Sequence, residues 1–242
     1  MQSLVSDDIE AGRVVSVFEQ FAQRFRFLVN NPLDMIQKSH LGGLLWEESE
    51  FRFLVDHVKP GATIVDVGSH IGNHAVFYSK CLSPSRITLI EPNPAAIEHL
   101  KQNLLLNDAR SADLSKLGIG AGRCEGRASL QNQNSSNTGA TELGVNDGGP
   151  VAIAPLDALV PIDDRVDFIK IDVEHVELDV MAGAEELLRR WRPDVLIEVK
   201  NDTIPAFLAK IHSIDYRVVD RFANPIETNF FIRASQRGLD SR

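Results

Sequence analysis

Cysteine is scarce in this chain. Its 242 residues hold two, Cys81 and Cys124, with no C-x-x-C and no ligand spacing to histidine. That excludes a disulfide framework and a zinc cluster, and it fits a reducing compartment. Positive charge is also short: 25 Lys and Arg stand against 34 Asp and Glu, a formal net charge of −9. Such a balance offers no attraction to a phosphate backbone, so nucleic acid is not the expected partner. No apolar run approaches the roughly 18 residues of a membrane span, and the opening "MQSLVSDDIEAGRV" has neither a basic stretch nor the apolar centre of a signal peptide. A cytoplasmic protein without membrane contact is the expectation.

What the chain has is a regular alternation of strand and helix. The length allows one α/β domain with a decorated N-terminus: a cap segment over 1–58, the main domain over 59–233 and a flexible tail over 234–242. From Gly61 onward "ATIVDVG" and "RITLIEPN" read as the first two strands. The run from Pro94 to Leu106 reads as a helix, with Ile97, Leu100 and Leu104 on one face. The best third strand is "SKLGIGAG", with "GRASLQNQ" as an added antiparallel strand. "QNQNSSNTGATELGVNDGGP" is too polar for core and reads as a long loop, either disordered or part of a binding site. "VDFIKIDV" and "PDVLIEV" supply the fourth and fifth strands. Between them, "ELDVMAGAEELLRRW" reads as one helix carrying Leu178, Met181, Ala184, Leu188 and Trp191 in a stripe. After the helix around "IPAFLAKIHSI", the runs "YRVVDRF" and "IETNFFIR" flank a turn at Asn224-Pro225 and predict a closing antiparallel pair.

The stretch "IVDVGSHIGNHAVFYSK" combines a strand, a glycine turn and a helix. Gly68 and Gly72 either close a tight connection or let the backbone approach a ligand. The pattern is D-x-G-x-x-x-G from Asp66, which is not the G-x-G-x-x-G of a dinucleotide site. Glu91 ends the second strand about 20 residues on, where an acid can accept hydrogen bonds from ribose hydroxyls. Read alone, it is also an ordinary solvated carboxylate.

Taken in order, "VDVGSHIGNHAVFYSK", "LIEPNPAAIEHLKQNLLLN", "SNTGATEL", "PLDALV", "VDFIKIDVEHVELDVMAGAEELLRRWRPDVLIEV" and "NFFIR" resemble the FkbM-type S-adenosylmethionine-dependent methyltransferases. The likeness runs from about Leu41 to Arg233. It implies a doubly wound, Rossmann-like sheet of seven strands with an antiparallel last strand, and S-adenosylmethionine as cofactor. It further implies that Asp66, Gly68 and Gly72 line the methionine portion, that Glu91 holds the ribose, and that Ser69, His70, Asn73, Pro92, Asn93 and Asp172 complete the cofactor site. The family methylates oxygen, commonly a hydroxyl of a sugar, polyketide or other natural product, so a small hydroxylated acceptor is expected. This chain departs from the family at Ser69-His70, where Ala-Asn is frequent, and at His175, where Gly is frequent.

The chemistry is expected at the carboxyl end of the fourth strand. Lys170 and Asp172 alternate onto one side of the sheet, as does Glu174 if the extended run continues. Glu198 ends the fifth strand nearby. These charges either face a solvated cleft or pair internally, Lys170 with Glu198, to fix register. Lys170, Asp172, Glu174 and His175 are the candidate catalytic residues, since an alcohol must give up its proton to a general base. His175 reads equally as a capping or surface histidine. The remaining histidines form no ligand pattern, although Asp172 and Glu198 would suit a hard cation such as magnesium. The acceptor pocket is expected between Asn132–Pro150 and Asn30–Glu48. An O-methyltransferase is the leading reading, and an inactive protein that keeps the same fold for binding is the alternative. A nicotinamide dehydrogenase is opposed by the glycine turn and the antiparallel close, and nucleic-acid methylation by the charge and the lack of an Asn-Pro-Pro-aromatic run.

Overall fold

The structure is a computed structural model and describes residues 4–6, 13–131, 138–146 and 148–235. The chain begins as a small antiparallel sheet of β1 (Leu4–Ser6), β2 (Val14–Gln20) and β3 (Gln23–Val29), followed by helices α1 (Met35–Leu41) and α2 (Glu48–His57). There follow β4 (Thr63–Val67), α3 (Asn73–Phe77), which runs on as a π-helical turn over Tyr78–Leu82, β5 (Arg86–Glu91), α4 (Pro94–Leu106) and β6 (Ala112–Leu117). A second sheet is made of β7 (Ile119–Ala121), β8 (Gly126–Gln131), β9 (Glu142–Val145) and β10 (Val151–Ala154). The chain then continues through α5 (Leu156–Leu159), β11 (Phe168–Ile171), α6 (Glu177–Ala182), α7 (Glu185–Trp191), β12 (Asp194–Lys200), α8 (Ile204–Ser213), β13 (Tyr216–Ala223) and β14 (Glu227–Ala234).

The main sheet has seven strands in the order β13-β14-β12-β11-β4-β5-β6. Pairing is parallel from β12 to β6, while β14 is antiparallel to both β12 and β13. The seven-stranded mixed α/β sheet with its antiparallel last strand is thus present. The sheet reaches Ala234. Of the expected tail, 236–242 lie outside the described residues, as do 1–3 and 7–12 of the cap and 132–137 and 147 of the polar loop. Among the described residues no helix is long and apolar enough to cross a membrane.

Strand alternation divides the core in two. Val65, Val67, Ile169, Ile171, Val195 and Ile197 pack on one face with Leu187, Leu188 and Phe207 from the later helices. Ile64, Leu89, Phe168, Leu196 and Phe231 pack on the other with Phe51, Leu54, Phe77 and Leu100. Each fully buried Ile, Leu or Phe contributes about 1.5–3 kcal/mol, so both faces are strongly specified. The second face is also covered by the β2–β3 hairpin, whose β3 is an edge. Its open backbone groups are met by one stripe of α4: His99 Nε2 lies 2.7 Å from Leu28 O, Asn103 Oδ1 accepts from Leu28 N at 2.8 Å, and Asn107 Oδ1 accepts from Arg26 N at 3.0 Å. The spacing of four residues puts these side chains on one helical face, and an edge that would otherwise template aggregation is satisfied internally.

Two expectations change. The third strand is "ADLSKL", not "SKLGIGAG": Gly118, at φ 87°, turns the chain out of the main sheet, so Ile119–Ala121 pairs with β10 in the second sheet. The helix expected through "ELDVMAGAEELLRRW" breaks at Gly183. A Cβ there would lie 2.1 Å from the carbonyl oxygen of Gly122, so the close approach of the neighbouring loop admits only glycine at the break.

Candidate active site

A cavity of about 490 Å³ opens at the carboxyl ends of β4, β5, β11 and β12, the usual crevice of a parallel sheet and within the size range of ligand sites. Its polar walls follow from strand parity. On β11 Lys170 falls on the same face as Phe168, on β12 Glu198 follows Leu196, and on β14 Asn229 precedes Phe231. The face packed against α2, α3 and the hairpin therefore turns from apolar to charged as it reaches the crevice. Trp46, Glu47 and Glu50 close it from the N-terminal segment, and Thr138, Thr141 and Leu143 from the polar loop and second sheet. Both segments expected to border an acceptor pocket do line this cavity.

The glycine turn is built for close packing. Gly68, at φ 81°, meets the backbone of β11 so tightly that a Cβ would sit 1.8 Å from Asp172 O, and Gly72, at φ 86°, lies where a Cβ would be 2.8 Å from Leu100 Cδ1. Gly68 and Ser69 line the cavity, whereas Gly72 is not in its wall and packs against Leu100 of α4. The amides of the turn are engaged as well. Gly68 N and Ser69 N donate to Ile90 O at 2.9 and 3.2 Å, Gly72 N donates to Ser69 O at 2.9 Å, and His70 N donates to Glu91 Oε2 at 2.8 Å. A turn whose N–H groups are occupied is no phosphate cradle, in keeping with the missing dinucleotide fingerprint.

Lys170 is the hub of the floor. Its ammonium is 4 % exposed and donates to Asp172 Oδ2 at 2.9 Å and Gly68 O at 3.0 Å, with Asp66 Oδ1 at 3.9 Å. Burial alone would depress its pKa, but Asp172 and Asp66 hold it well above the ordinary value, so it is a fixed cation and no base. Its partner is Asp172, not Glu198, which corrects the internal pairing considered above. Burial would raise the Asp172 pKa, yet the adjoining ammonium keeps it below the ordinary range, and the carboxylate faces the cavity ionised. Asp66 lies beneath Lys170, fully buried, with neither oxygen hydrogen-bonded. It is not in the cavity wall, so its place is under the floor.

Glu91, Pro92 and Asn93 form the wall at the end of β5. Glu91 accepts from His70 N and Asn93 N, both at 2.8 Å, which leaves a second lone pair on each oxygen for a ligand hydroxyl. Burial pushes its pKa up to about 7. His70, in the left-handed region at φ 44°, places Nε2 3.0 Å from Thr138 Oγ1, and Thr138 donates in turn to Asp34 Oδ2 at 2.7 Å. Burial lowers the His70 pKa to about 4, so a neutral imidazole ties the polar loop to the start of α1. Asn73 lines the cavity and also positions its roof: its Nδ2 donates to Trp46 O at 3.1 Å and its Oδ1 accepts from Trp46 N at 3.3 Å.

The far half is acidic. β11 ends at Ile171, so Glu174 does not continue its alternation; the side chain lines the cavity but pairs with Lys200 at 2.9 Å. Burial raises its pKa. Lys200 also holds Glu227 at 2.7 Å and stands 4.0 Å from Glu198. Asn229, directly across the ladder from Glu198, donates to Glu47 Oε1 at 3.2 Å and Glu50 Oε1 at 3.4 Å. Glu47 itself sits at φ 63° and brings Oε2 within 3.2 Å of His74 Nε2. His175 is elsewhere: its ring is 56 % exposed, 3.3 Å from Glu142, and it is not in the wall. Sequence reasoning missed Glu47, Glu50, His74, Asn229 and Lys200. His74, next to Asn73 in the first turn after the glycines, is the one with a local signal. Among the described residues no three His, Cys, Asp or Glu side chains are grouped to hold a metal ion, so Asp172 and Glu198 gain no third ligand.

This donor set suits S-adenosylmethionine, which is cationic at sulfur and at its amino group and carries no phosphate: ionised Asp172 and the ribose-competent Glu91 line one cavity, and the turn offers no phosphate cradle. The model of the FkbM methyltransferase domain matches residues 66–218. The hexuronic acid methyltransferase AglP of Haloferax volcanii is 24% identical over 190 residues, covering 78% of this chain and 75% of that protein. A methyltransferase FkbM structure from Methylobacillus flagellatus covers 81% of this chain at 21% identity with a TM-score of 0.49, and this chain spans about half (52%) of its length. The TYW2 structure from M. jannaschii covers 96% of this chain and 91% of its own at 13% identity, with a TM-score of 0.51, and shares the fold. With a family match over more than half its length, this chain belongs to the FkbM methyltransferase family and is a methyltransferase that uses S-adenosylmethionine.

Proposed function

We propose that this methyltransferase acts on a hydroxyl oxygen of a small polyhydroxylated molecule of the sugar type. One observation carries the reading: the cavity wall away from Glu91 includes carboxylates, an amide and aromatic side chains, namely Glu47, Glu50, Glu198 and Asn229 with Trp46 and Phe222. Carboxylates and amides hydrogen-bond vicinal hydroxyls and aromatic faces cover the apolar side of a ring. The hexuronic acid named for the AglP relative supports a sugar-type acceptor.

When bound, S-adenosylmethionine supplies an activated methyl group. Asp172, ionised and held by Lys170, accepts the hydrogen bond of the acceptor hydroxyl and fixes its direction, which is the main lever available to such a site. Glu174 lines the same wall and receives the proton, its basicity raised by burial. Neither Lys170 nor His175 takes that role, the first because its protons are engaged and the second because it lies outside the wall.

The test is Asp172→Asn, which keeps shape and removes charge. Turnover, followed as S-adenosylhomocysteine release with a panel of glycosides, is expected to fall at least about a hundredfold, while affinity for S-adenosylhomocysteine stays within a few fold. Undiminished turnover in Asp172→Asn, or a product methylated on nitrogen or carbon, would overturn the reading.

A further inference from the structure

The acidic half of the cavity asks what ligand it is shaped to receive. Glu198 is the decisive group. Its side chain is only 8% exposed and lines the cavity. It makes no hydrogen bond among the described residues, and the Lys200 ammonium 4.0 Å away is committed to Glu174 and Glu227 at 2.9 and 2.7 Å. A carboxyl whose side chain is over nine-tenths buried and that has no hydrogen-bond partner from the protein takes its partner from whatever enters the cavity, water or ligand.

The surroundings state the sign of that ligand. Asn229 stands across the ladder from Glu198 and draws Glu47 and Glu50 to the same place by donating to both. Ser49 Oγ donates to Glu50 Oε2 at 2.8 Å, and Glu47 has the His74 imidazole at 3.2 Å, with the Lys170 ammonium in electrostatic reach but hydrogen-bonded elsewhere. Lys170, the lysine in the wall, is held by Asp172 and Gly68 on the floor, and no arginine lines the cavity among the described residues. Glu47 and Glu50 therefore meet on one amide, Glu198 stands across the ladder from it, and none of the three is hydrogen-bonded to a lysine or arginine among the described residues. A ligand carboxylate placed there would meet like charge in a partly desolvated site, whereas an ammonium would find three acceptors.

We infer that the acceptor carries a protonated amine beside its methylated hydroxyl, an amino sugar or similarly aminated polyol, and that the amine is seated against Glu198, Glu47 and Glu50. This rests on the hydroxyl-methylating reading above and narrows its substrate class. It separates this chain from the hexuronic acid named for its AglP relative, whose charge is opposite.

The experiment uses the full chain saturated with S-adenosylhomocysteine and matched methyl glycosides that differ in one group: glucosamine, glucose and glucuronic acid, with the galacto series in parallel. Calorimetry is expected to rank amine over neutral by at least about tenfold and neutral over acid by about as much. Glu198→Gln, which keeps the shape of the wall, is expected to reduce the amine-to-neutral ratio about tenfold or more. An acid that binds as tightly as the amine, a ratio unmoved in Glu198→Gln, or no binding by any member would overturn the inference. Methyl transfer from S-adenosylmethionine, assayed separately, tells the two readings apart. Transfer to oxygen with the acid preferred sinks the amine and keeps the hydroxyl, while amine-selective binding without transfer to any hydroxyl sinks the hydroxyl and keeps the charge preference of the wall.

Discussion

Glu198→Gln makes a prediction about the free protein that can be worked out in energy. Burial, with Asp172 and Glu227 nearby, pushes the Glu198 carboxyl from the ordinary 4.5 up to about 11. A folded pKa above the unfolded one means that the group's contribution is fully present below about pH 4.5 and is lost as pH rises toward 11. At pH 7 the unfolded chain has released this proton and the folded chain still holds it. That difference spans about 2.5 pH units at ~1.4 kcal/mol each, or about 3 kcal/mol of destabilisation. Glutamine has the same shape and no proton to lose. The variant should therefore match the wild type near pH 4.5 and exceed it by about 3 kcal/mol at pH 7, with the gap opening by ~1.4 kcal/mol per pH unit between. Urea unfolding followed by circular dichroism at pH 5, 6, 7 and 8 measures it directly. A gap that does not grow with pH, or a variant less stable than wild type at pH 7, would refute the account of Glu198 as a carboxyl kept neutral by its surroundings.

Two further substitutions probe the floor. Gly68→Ala drives a Cβ to 1.8 Å from Asp172 O at a φ of 81°, so it should destabilise by about 3 kcal/mol or more; a thermal midpoint within about 2 °C of wild type would show that the strands can part cheaply. Lys170→Met leaves buried Asp66 and Asp172 without their cation and should cost about 3–5 kcal/mol at pH 7. Because the Asp172 pKa is held down by Lys170, its contribution is present above the unfolded value and lost as pH falls through the folded one, so the deficit should narrow below about pH 4. Equal deficits at pH 4 and pH 7 in urea titrations would contradict the pairing.

Much of the fold was legible because its signals are local. Ile64, Val65 and Val67, with Gly68 closing the turn, announce a buried parallel strand, and Asn93-Pro94 announces a helix start that the structure satisfies with Asn93 Oδ1 accepting from Ala95 N. The third strand was placed late because β6 is an edge: Ser115 is exposed and Leu114 is 40% exposed, so no apolar run marks it. The packing at Gly183 was hidden because the group that requires glycine there, the carbonyl of Gly122, lies 61 positions earlier in the chain. Lys170 and Asp172 stood out as charges at the end of an apolar strand. Asn229 gave no such sign, since its partners Glu47 and Glu50 are 182 and 179 residues away and its meaning exists only once β14 is laid beside β12.

The two halves of the cavity use charge in opposite ways. On the floor, Lys170 answers Asp172 and partly Asp66, so the carboxylate that faces the cavity is ionised without a ligand and this half is preorganised. Around Asn229 the cation is withheld. Lys200 is near enough to steady Glu174 and Glu227 but leaves Glu198 at 4.0 Å. A sequence selected for stability alone would place glutamine or an apolar residue there, since a buried carboxyl that must keep its proton at pH 7 lowers stability. Retaining glutamate keeps a wall whose stability improves when a positive ligand arrives, and that differential is what lets a binding site discriminate by charge. The departure of Ser69-His70 from the family's frequent Ala-Asn belongs to the same division of labour. His70 is neutral and bonded through Thr138 to Asp34, so it fastens the polar loop to the start of α1 without adding charge, and in the proposed function the acidic half is left to set which acceptor enters.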